Sequence, residues 1–159
     1  MIKPIKDVRK EFILKFFKEQ WGSTEMVTSS GTYDCLELDG FVSLNLKGEI
    51  NGFITFYISK DECEIISLDS MEENKGIGTS LLNRVEFFAK EQNCKKMKLI
   101  TTNDNLRAIR FYQKRGYQCV KVIPNAVNIA RKKKPEIPLM NPENHIPIRD
   151  EFLFVKEIQ

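Results

Sequence analysis

The residues whose types and spacing most clearly indicate chemistry form a glycine-rich turn, Lys75-Gly76-Ile77-Gly78-Thr79. The turn opens into a segment whose apolar residues recur at helical spacing, at Leu81, Leu82, Val85, Phe88 and Ala89. The first N–H groups of a helix lack intrahelical acceptors, and glycine lets a phosphate approach them closely. The turn therefore predicts a site for a phosphorylated ligand, although a tight connection between two elements would use the same glycines.

Two common phosphate-binding loops do not fit this turn. A P-loop needs a lysine directly after its last glycine, whereas Lys75 precedes the glycines and no lysine follows Gly78. A dinucleotide fingerprint would require its third glycine at Leu81, and no acidic residue follows a second strand in a βαβ context. The predicted ligand is therefore neither ATP nor NAD.

A second pattern follows the predicted helix. A short strand at residues 96–101 leads into the segment Asn105-Leu106-Arg107-Ala108-Ile109-Arg110-Phe111-Tyr112-Gln113-Lys114-Arg115-Gly116-Tyr117. Asp104 or Asn105 can cap a helix here, and Gly116 can end it. The chain is thus expected to place an aromatic, basic helix directly after a strand.

Together these patterns resemble the GNAT superfamily of acyl-CoA-dependent N-acetyltransferases. In that family a Gln/Arg-x-x-Gly-x-Gly/Ala loop binds the coenzyme A pyrophosphate, and an Asn-x-x-Ala-x-x-Phe-Tyr-x-Lys-x-Gly-Phe/Tyr helix follows it. The second motif matches almost fully, whereas Glu73 and Asn74 replace the usual Arg/Gln and Gly of the first. The resemblance implies an α/β (α+β) fold with a central, mostly antiparallel mixed sheet, flanked by helices and splayed open where acetyl-CoA inserts.

The resemblance also implies which residues bind acetyl-CoA, the co-substrate. The turn at residues 75–79 would bind the pyrophosphate mainly through main chain, and the strand around Leu68 would donate hydrogen bonds to the pantetheine and acetyl group. Tyr112 would protonate the leaving thiolate, and an aromatic core role is its alternative; Asn105 would contact pantetheine or serve only as a helix cap. The implied cofactor-binding residues are Leu68, Asp69, Ser70, Lys75, Gly76, Ile77, Gly78, Thr79, Asn105, Ala108, Phe111 and Tyr112.

Acetyl transfer to an amine also needs a base, because only roughly one part in two thousand of a lysine-like amine is neutral at pH 7. By resemblance, the strand that begins near Glu62 often holds this base. Simple alternation places Glu62, Glu64, Ile66 and Leu68 on one side of it, and Cys63, Ile65, Ser67 and Asp69 on the other. Glu64 is the candidate base, and Asp69 or a water relay is the alternative.

The remaining elements supply the scaffold. A first strand is predicted at residues 3–5, followed by a helix capped by Asp7 and carrying Val8, Phe12, Ile13, Phe16 and Phe17. Residues 24–33 are predicted to form a loop, and residues 41–46, 52–58 and 62–68 an antiparallel meander. Trp21 is expected to anchor the core rather than a substrate. Strands are predicted at residues 117–122 and 150–158.

The connection at residues 123–149 is longer than a hairpin needs and contains a predicted helix at residues 125–134. By resemblance it forms a substrate-wall insertion within one GNAT domain that spans residues 1–159. His145 is expected to have a surface or packing role rather than a catalytic one. The run Arg131 to Lys134 is either a solvated helix end or a basic rim for an acidic ligand.

Composition limits the cellular setting and the partners. The 25 basic residues are nearly balanced by 22 acidic ones, which argues against nucleic acid. No apolar run is long enough to span a membrane and the N-terminus lacks a signal-peptide core, so a cytoplasmic protein is expected. The cysteines, Cys35, Cys63, Cys94 and Cys119, lack metal-site spacing and are expected to be reduced thiols.

The sequence therefore predicts an N-acetyltransferase that moves an acetyl group from acetyl-CoA to a primary amine of a small molecule or peptide. The family mechanism uses a ternary complex and no metal, and a homodimer is compatible with it. The alternative is a sensor or interaction module of the same fold that binds acyl-CoA but has lost turnover, an alternative that the substitution at Glu73 keeps open.

Overall fold

The computed structural model describes residues 1–72 and 75–159. The helices are α1 (Lys10–Trp21), α2 (Ile77–Glu91), α3 (Leu106–Lys114) and α4 (Ala126–Lys133). The strands are β1 (Ile2–Pro4), β2 (Glu25–Thr28), β3 (Gly31–Asp34), β4 (Asp39–Leu44), β5 (Ile50–Ser59), β6 (Glu62–Ser70), β7 (Lys96–Thr102), β8 (Gln118–Ile123) and β9 (Glu151–Glu157). Seven strands belong to one mostly antiparallel sheet, and β2 and β3 form a separate pair. The predicted fold class is confirmed.

The described residues group into two compact units. The first contains Met1–Met26, Tyr33–Met97 and Ile158–Gln159, and the second contains Val27–Thr32 and Lys98–Glu157. Within the described residues, no helix is both long and apolar enough to cross a lipid bilayer. Cys35, Cys63 and Cys94 are buried, whereas Cys119 is exposed.

In the first unit, the strands lie in the order β1-β4-β5-β6 with antiparallel pairing throughout. The predicted meander is therefore confirmed, although β4 begins and ends two residues earlier than predicted and β5 and β6 are longer. One face of it packs on α1 through a core of Ile13, Phe17, Cys35, Val42 and Phe53. The other face carries Phe41 and Phe56, whose rings pack with Phe88 of α2.

Two predictions about the first 34 residues are wrong. Residues 5–7 form a short 3-10 turn, and α1 begins three residues after Asp7, with Arg9 at the cap position and no side-chain cap bond. Pro4 precedes this turn, and the chain extends again at Val8 before α1 begins. The predicted loop at residues 24–33 is instead largely the β2–β3 hairpin. Its turn residues Ser29 and Ser30 are exposed.

In the second unit, the strand order is β7-β9-β8, and β8 and β9 pair antiparallel. The predicted helices and strands are confirmed to within one or two residues, since α3 ends before Gly116 and α4 occupies residues 126–133. Arg131 is half-buried and holds the connection between α4 and β9 together. Its guanidinium donates to the carbonyls of Ile137, Pro138 and Ile148.

Candidate active site

The start of α2 in the first unit has a glycine at the cap position. Helix α2 begins after Gly76, which takes a left-handed φ of 75°, a conformation that favours glycine. Among the described residues no side chain caps this end, and a Cβ placed on Gly76 would meet nothing within 4 Å. Within the described residues, no side chain accepts from the N–H groups of Ile77 and Gly78, an arrangement that suits an anion.

Gly52 of β5 lets the first turn of α2 lie close to the sheet. A Cβ on Gly52 would come within 2.7 Å of Ile77 Cγ2 and 3.2 Å of Leu81 Cδ1. A side chain at this position would force Ile77 or the start of the helix to move, because real Cβ contacts are not as short as 2.7 Å. The close approach sets where the uncapped amides lie relative to the end of β6, since Gly52 pairs with Ser70.

Strand β6 contains a bulge that the sequence did not reveal. Thr55 of β5 lies opposite Ser67, and the next residue, Phe56, lies opposite Ile65, so Ile66 is the extra residue. A bulge of this kind shifts the alternation of side chains beyond it. The hydrogen bond between the Thr55 and Ser67 hydroxyls places those two side chains on the same face.

The predicted alternation along β6 is therefore wrong. Glu64 lies opposite Tyr57, and Asp69 lies opposite Phe53, and paired residues share a face of the sheet. Because Phe53 and Tyr57 are four residues apart on β5, Glu64 and Asp69 share one face, the face that packs on α1. Both candidate carboxylates thus lie on the same side of the sheet.

The two carboxylates differ in their surroundings. Glu64 is buried, with 6% of its surface exposed. Burial raises the pKa of the Asp69 carboxyl above its ordinary value, although hydrogen bonds from the Ser70 N–H and the Trp21 side chain oppose the shift. The Ser70 N–H lies 2.8 Å from Asp69 Oδ1. Asp69 is consequently a carboxylate that takes up a proton more readily than an exposed one.

Glu64 and Asp69 lie at different distances from Leu68 along β6. Glu64 lies four residues before Leu68, roughly 13 Å along an extended strand, whereas Asp69 directly follows Leu68.

In the second unit, the start of α3 has a side-chain cap and lies beside a cavity of about 280 Å³. The Asn105 side chain accepts a hydrogen bond from the Ala108 N–H at 3.1 Å and caps the helix, as predicted. Asp104, which is 5% exposed, accepts from Asn141 Nδ2 at 2.9 Å, and its carbonyl accepts from Asn144 Nδ2 at 3.0 Å. The connection between α4 and β9 therefore closes over this helix start.

Tyr112 lies on the buried side of α3, with 6% of its surface exposed. Its ring packs edge-on against Phe111 and Tyr117, at centroid distances of 5.1 and 5.3 Å. Burial raises the pKa of Tyr112 well above its ordinary range, and the charge of Arg115 opposes the shift only partly. The phenol is therefore protonated at neutral pH and is a weaker acid than an exposed tyrosine.

The structure places the predicted site residues in both units. The first unit holds Glu64, Leu68, Asp69, Ser70, Lys75, Gly76, Ile77, Gly78 and Thr79, and the second holds Asn105, Ala108, Phe111 and Tyr112. The predictions about Glu73 and Asn74 lie outside the described residues. His145 is exposed with a φ of 62°, in keeping with the expected surface role.

Comparison with known proteins gives the family of the chain. The model of the Acetyltransferase (GNAT) family matches residues 6–117, well over half of the chain. The chain therefore belongs to the GNAT acetyltransferase family. The matched stretch contains β6, the glycine turn, α2 and α3, which are the elements that carry the two motifs.

The relatives and structural neighbours agree with this. The chain is 56% identical over 156 residues to YxbD, an uncharacterized protein of Bacillus subtilis strain 168, with 98% of both chains covered. An IAA acetyltransferase from Bacillus cereus shares the fold, with a TM-score of 0.72, 20% identity and 99% and 98% of the two chains covered. A GNAT family acetyltransferase from Elizabethkingia anophelis, solved with acetyl-CoA bound, has a TM-score of 0.68 at 23% identity, with 99% and 97% covered.

Proposed function

We propose that this protein is an N-acetyltransferase that transfers the acetyl group of acetyl-CoA to a primary amine of a small molecule or peptide. The observation that carries the proposal is the uncapped start of α2 at the end of a bulged β6 strand. Uncapped amides at a helix start favour a diphosphate, because they donate hydrogen bonds and carry the positive end of the helix dipole. Family membership supports acetyl-CoA as the source of that diphosphate.

In the proposed site, each group of residues has one task. The N–H groups of Ile77, Gly78 and Thr79 bind the diphosphate, and Leu68, Asp69 and Ser70 lie along the acyl arm. Asn105, Ala108 and Phe111 complete the coenzyme contacts that the family pattern assigns to α3. These assignments follow the motif residue by residue.

The reaction requires two proton movements. The neutral amine nitrogen bonds to the thioester carbonyl carbon, and the carbon–sulfur bond breaks. Main-chain N–H groups near Leu68 stabilise the negative charge that develops on the carbonyl oxygen. The proton of the amine passes to a carboxylate of β6, and Tyr112 gives its proton to the departing thiolate.

Glu64 acts as the base in this proposal, through water, and Asp69 is its competitor. The raised pKa of Asp69 favours it as a proton acceptor, whereas Glu64 lies about 13 Å along the strand from Leu68. Glu64→Gln and Asp69→Asn distinguish them. The variant that lacks the base loses rate at pH 7 and recovers it as pH rises toward the pKa of the amine, because more of the acceptor is then already neutral.

The proposal extends to the whole chain as one GNAT domain in the cytoplasm, with residues 123–149 shaping the acceptor side. Its test is incubation of the protein with acetyl-CoA and a panel of alkyl diamines, amino sugars, amino acids and short peptides. Thiol release above the rate without amine, with acetylated product seen by mass spectrometry, is the expected result. Coenzyme binding without product from any acceptor would instead assign the chain to the acyl-CoA sensor class.

A further inference from the structure

Asp104 is a buried carboxylate that the proposed reaction does not use. It directly precedes the cap residue of α3, and 5% of its surface is exposed. Its Oδ2 accepts from Asn141 Nδ2 at 2.9 Å, whereas the buried Oδ1 has no hydrogen-bond partner among the described residues. A buried acceptor without a donor is costly, and more so when it carries charge. Asp104 Oδ1 therefore suits a ligand that brings a hydrogen-bond donor.

A cavity of about 280 Å³ lies against this acid. It is lined by the start of α3, at residues 104–107, and by the turn at residues 141–144. Both segments belong to the second unit, so the cavity lies within one compact unit. Because a water occupies about 30 Å³ of liquid, the space is large enough for a small organic molecule.

The charged groups around the cavity leave Asp104 without a cation. Arg107 and Glu143 also line it, and they pair with each other, with Arg107 Nη2 3.6 Å from Glu143 Oε2. Their side chains are 70% and 71% exposed, so this pair lies at the solvent rim. The positive end of the α3 dipole offsets only part of a unit charge. Within the described lining, the unpaired charge is therefore the negative one on Asp104.

The cover over Asp104 is an exposed turn. Pro142, Glu143 and Asn144 are all exposed, and two side-chain amides join the turn to the acid. Asn141 donates to Oδ2, and Asn144 Nδ2 donates to the Asp104 carbonyl at 3.0 Å. Exposed segments with few bonds open at low free-energy cost. A ligand in the cavity can therefore reach Oδ1 when these amides rotate, without disturbing α3.

A protonated primary amine fits these features. Its ammonium brings three N–H donors and the positive charge that Asp104 lacks. Leu106, which is half exposed, and Pro142 supply apolar surface for an alkyl chain. A divalent metal ion fits less well, because it needs several oxygen ligands. The described residues hold no group of three or more histidine, cysteine or acidic side chains that could bind one.

We propose that Asp104 and the cavity beside it form a binding site for a protonated primary alkyl amine. The ammonium donates a charge-assisted hydrogen bond to Asp104 Oδ1, and the alkyl chain lies against Leu106 and Pro142. No residue of the first unit takes part. The site goes beyond the proposed acetyl transfer, since binding of the amine needs neither acetyl-CoA nor turnover.

The test is an NMR titration of the protein with n-butylammonium chloride in the absence of acetyl-CoA, with n-butanol as the uncharged match. We expect n-butylammonium to shift the side-chain amide signals of Asn141 and Asn144 saturably, and n-butanol to leave them in place. Asp104→Asn keeps the size of the side chain but removes its charge, and should weaken amine binding at least tenfold, as expected for loss of a hydrogen bond to a charged group.

Glu143→Gln is the matched control, because it removes a charge from the rim of the same cavity. It should change the amine affinity less than threefold. Equal weakening by Asp104→Asn and Glu143→Gln would overturn the proposal, because the amine would then respond only to the general charge of this surface.

The wild-type titration decides the proposal even if Asp104→Asn does not fold, since the Asn141 and Asn144 signals report on the site directly. Signals that stay in place would mean that Oδ1 meets only solvent, and equal shifts with n-butanol would mean that charge plays no part; either result overturns the proposal. Such a failure would leave the proposed acetyl transfer standing, because that is tested by product formation.

Discussion

The starts of α2 and α3 are built in opposite ways. At α2, the cap residue is Gly76 and no described side chain accepts from the helix amides. At α3, Asn105 caps the Ala108 N–H, while Asp104 is held by Asn141 and Asn144. Within the described residues, the start of α2 has no side-chain cap, whereas the start of α3 has one.

This difference in capping indicates which helix start suits a ligand. A glycine at the cap position, such as Gly76, costs roughly a few tenths of a kcal/mol relative to a good capping side chain. A chain that caps α3 and leaves α2 without a side-chain cap gives up that stability at the position where a diphosphate could replace the cap. In the proposed function, the start of α2 binds the diphosphate of the coenzyme, and α3 carries Tyr112.

The largest expected effect is on kcat, and it comes from removing the Tyr112 hydroxyl. Tyr112→Phe removes the phenol proton but keeps the ring that packs against Phe111 and Tyr117. We expect kcat to fall about 100- to 10,000-fold, the usual range for loss of an acid catalyst. Coenzyme A affinity, measured by calorimetry, should stay within twofold. A loss of affinity as large as the loss of rate would mean that the Tyr112 hydroxyl contributes to coenzyme binding rather than to proton transfer.

The next largest effect is on coenzyme A affinity, and it tests the start of α2 directly. Gly78→Glu places a carboxylate in the first turn of α2, which has no acidic residue of its own. The carboxylate should oppose a bound diphosphate by roughly 1 to 3 kcal/mol and weaken coenzyme A binding about 10- to 100-fold.

Leu106→Glu is the matched control for this variant. Leu106 is the first residue of α3 and is half exposed, so the same charge enters an equivalent turn at little structural cost. Coenzyme A affinity should change less than threefold. Equal weakening by the two variants would erase the distinction between the helix starts.

A smaller effect concerns the stability of the start of α3. Asn105→Ala removes the acceptor for the Ala108 N–H and should cost about 1 kcal/mol of unfolding free energy. For a chain of this size that corresponds to a melting temperature lower by about 2 to 4 °C. Asn105→Asp keeps a capping oxygen and should lose clearly less. If both variants melt alike, the cap has no energetic role.

The smallest effect comes from a third helix start, that of α4, where the Asn125 N–H donates to Asp150. Hydrogen bonds from Arg149 and then Asn125 lower the pKa of Asp150. The stabilisation is therefore present above the pKa of an unfolded aspartate and is lost as pH falls through the lower folded value.

Asp150→Asn should cost less than about 1 kcal/mol of unfolding free energy at pH 7, because the site is near the surface. Urea unfolding of both proteins at pH 7 and pH 2.5 should show the difference vanish in acid; a constant difference would rule out the charge as its cause.

The sequence was sufficient to predict those helices and strands that have local signals. Gly76 and Gly78 marked the start of α2, Asn105 marked that of α3, and the alternating runs marked the meander. The β2–β3 hairpin was missed because residues 24–33 are mostly polar, although Met26, Val27 and Tyr33 around the Ser29-Ser30-Gly31 turn favour strands.

The bulge at Ile66 and the partner of Glu151 could not have been predicted from the sequence. A bulge depends on the register between β5 and β6, which no single residue of either strand specifies. The Ser29 bond to Glu151 joins residues 122 positions apart, so neither segment alone signals it. The assignment of Asp7 as a cap failed because the chain forms a 3-10 turn there before α1 begins.

The most direct test of the account is an amide-resolved NMR titration of the protein with coenzyme A. Diphosphate binding at the start of α2 predicts that the Ile77, Gly78 and Thr79 amides shift most, and that pantetheine, which lacks the diphosphate, leaves them in place. Saturable binding with these amides unmoved, or no binding at all, would contradict the central claim.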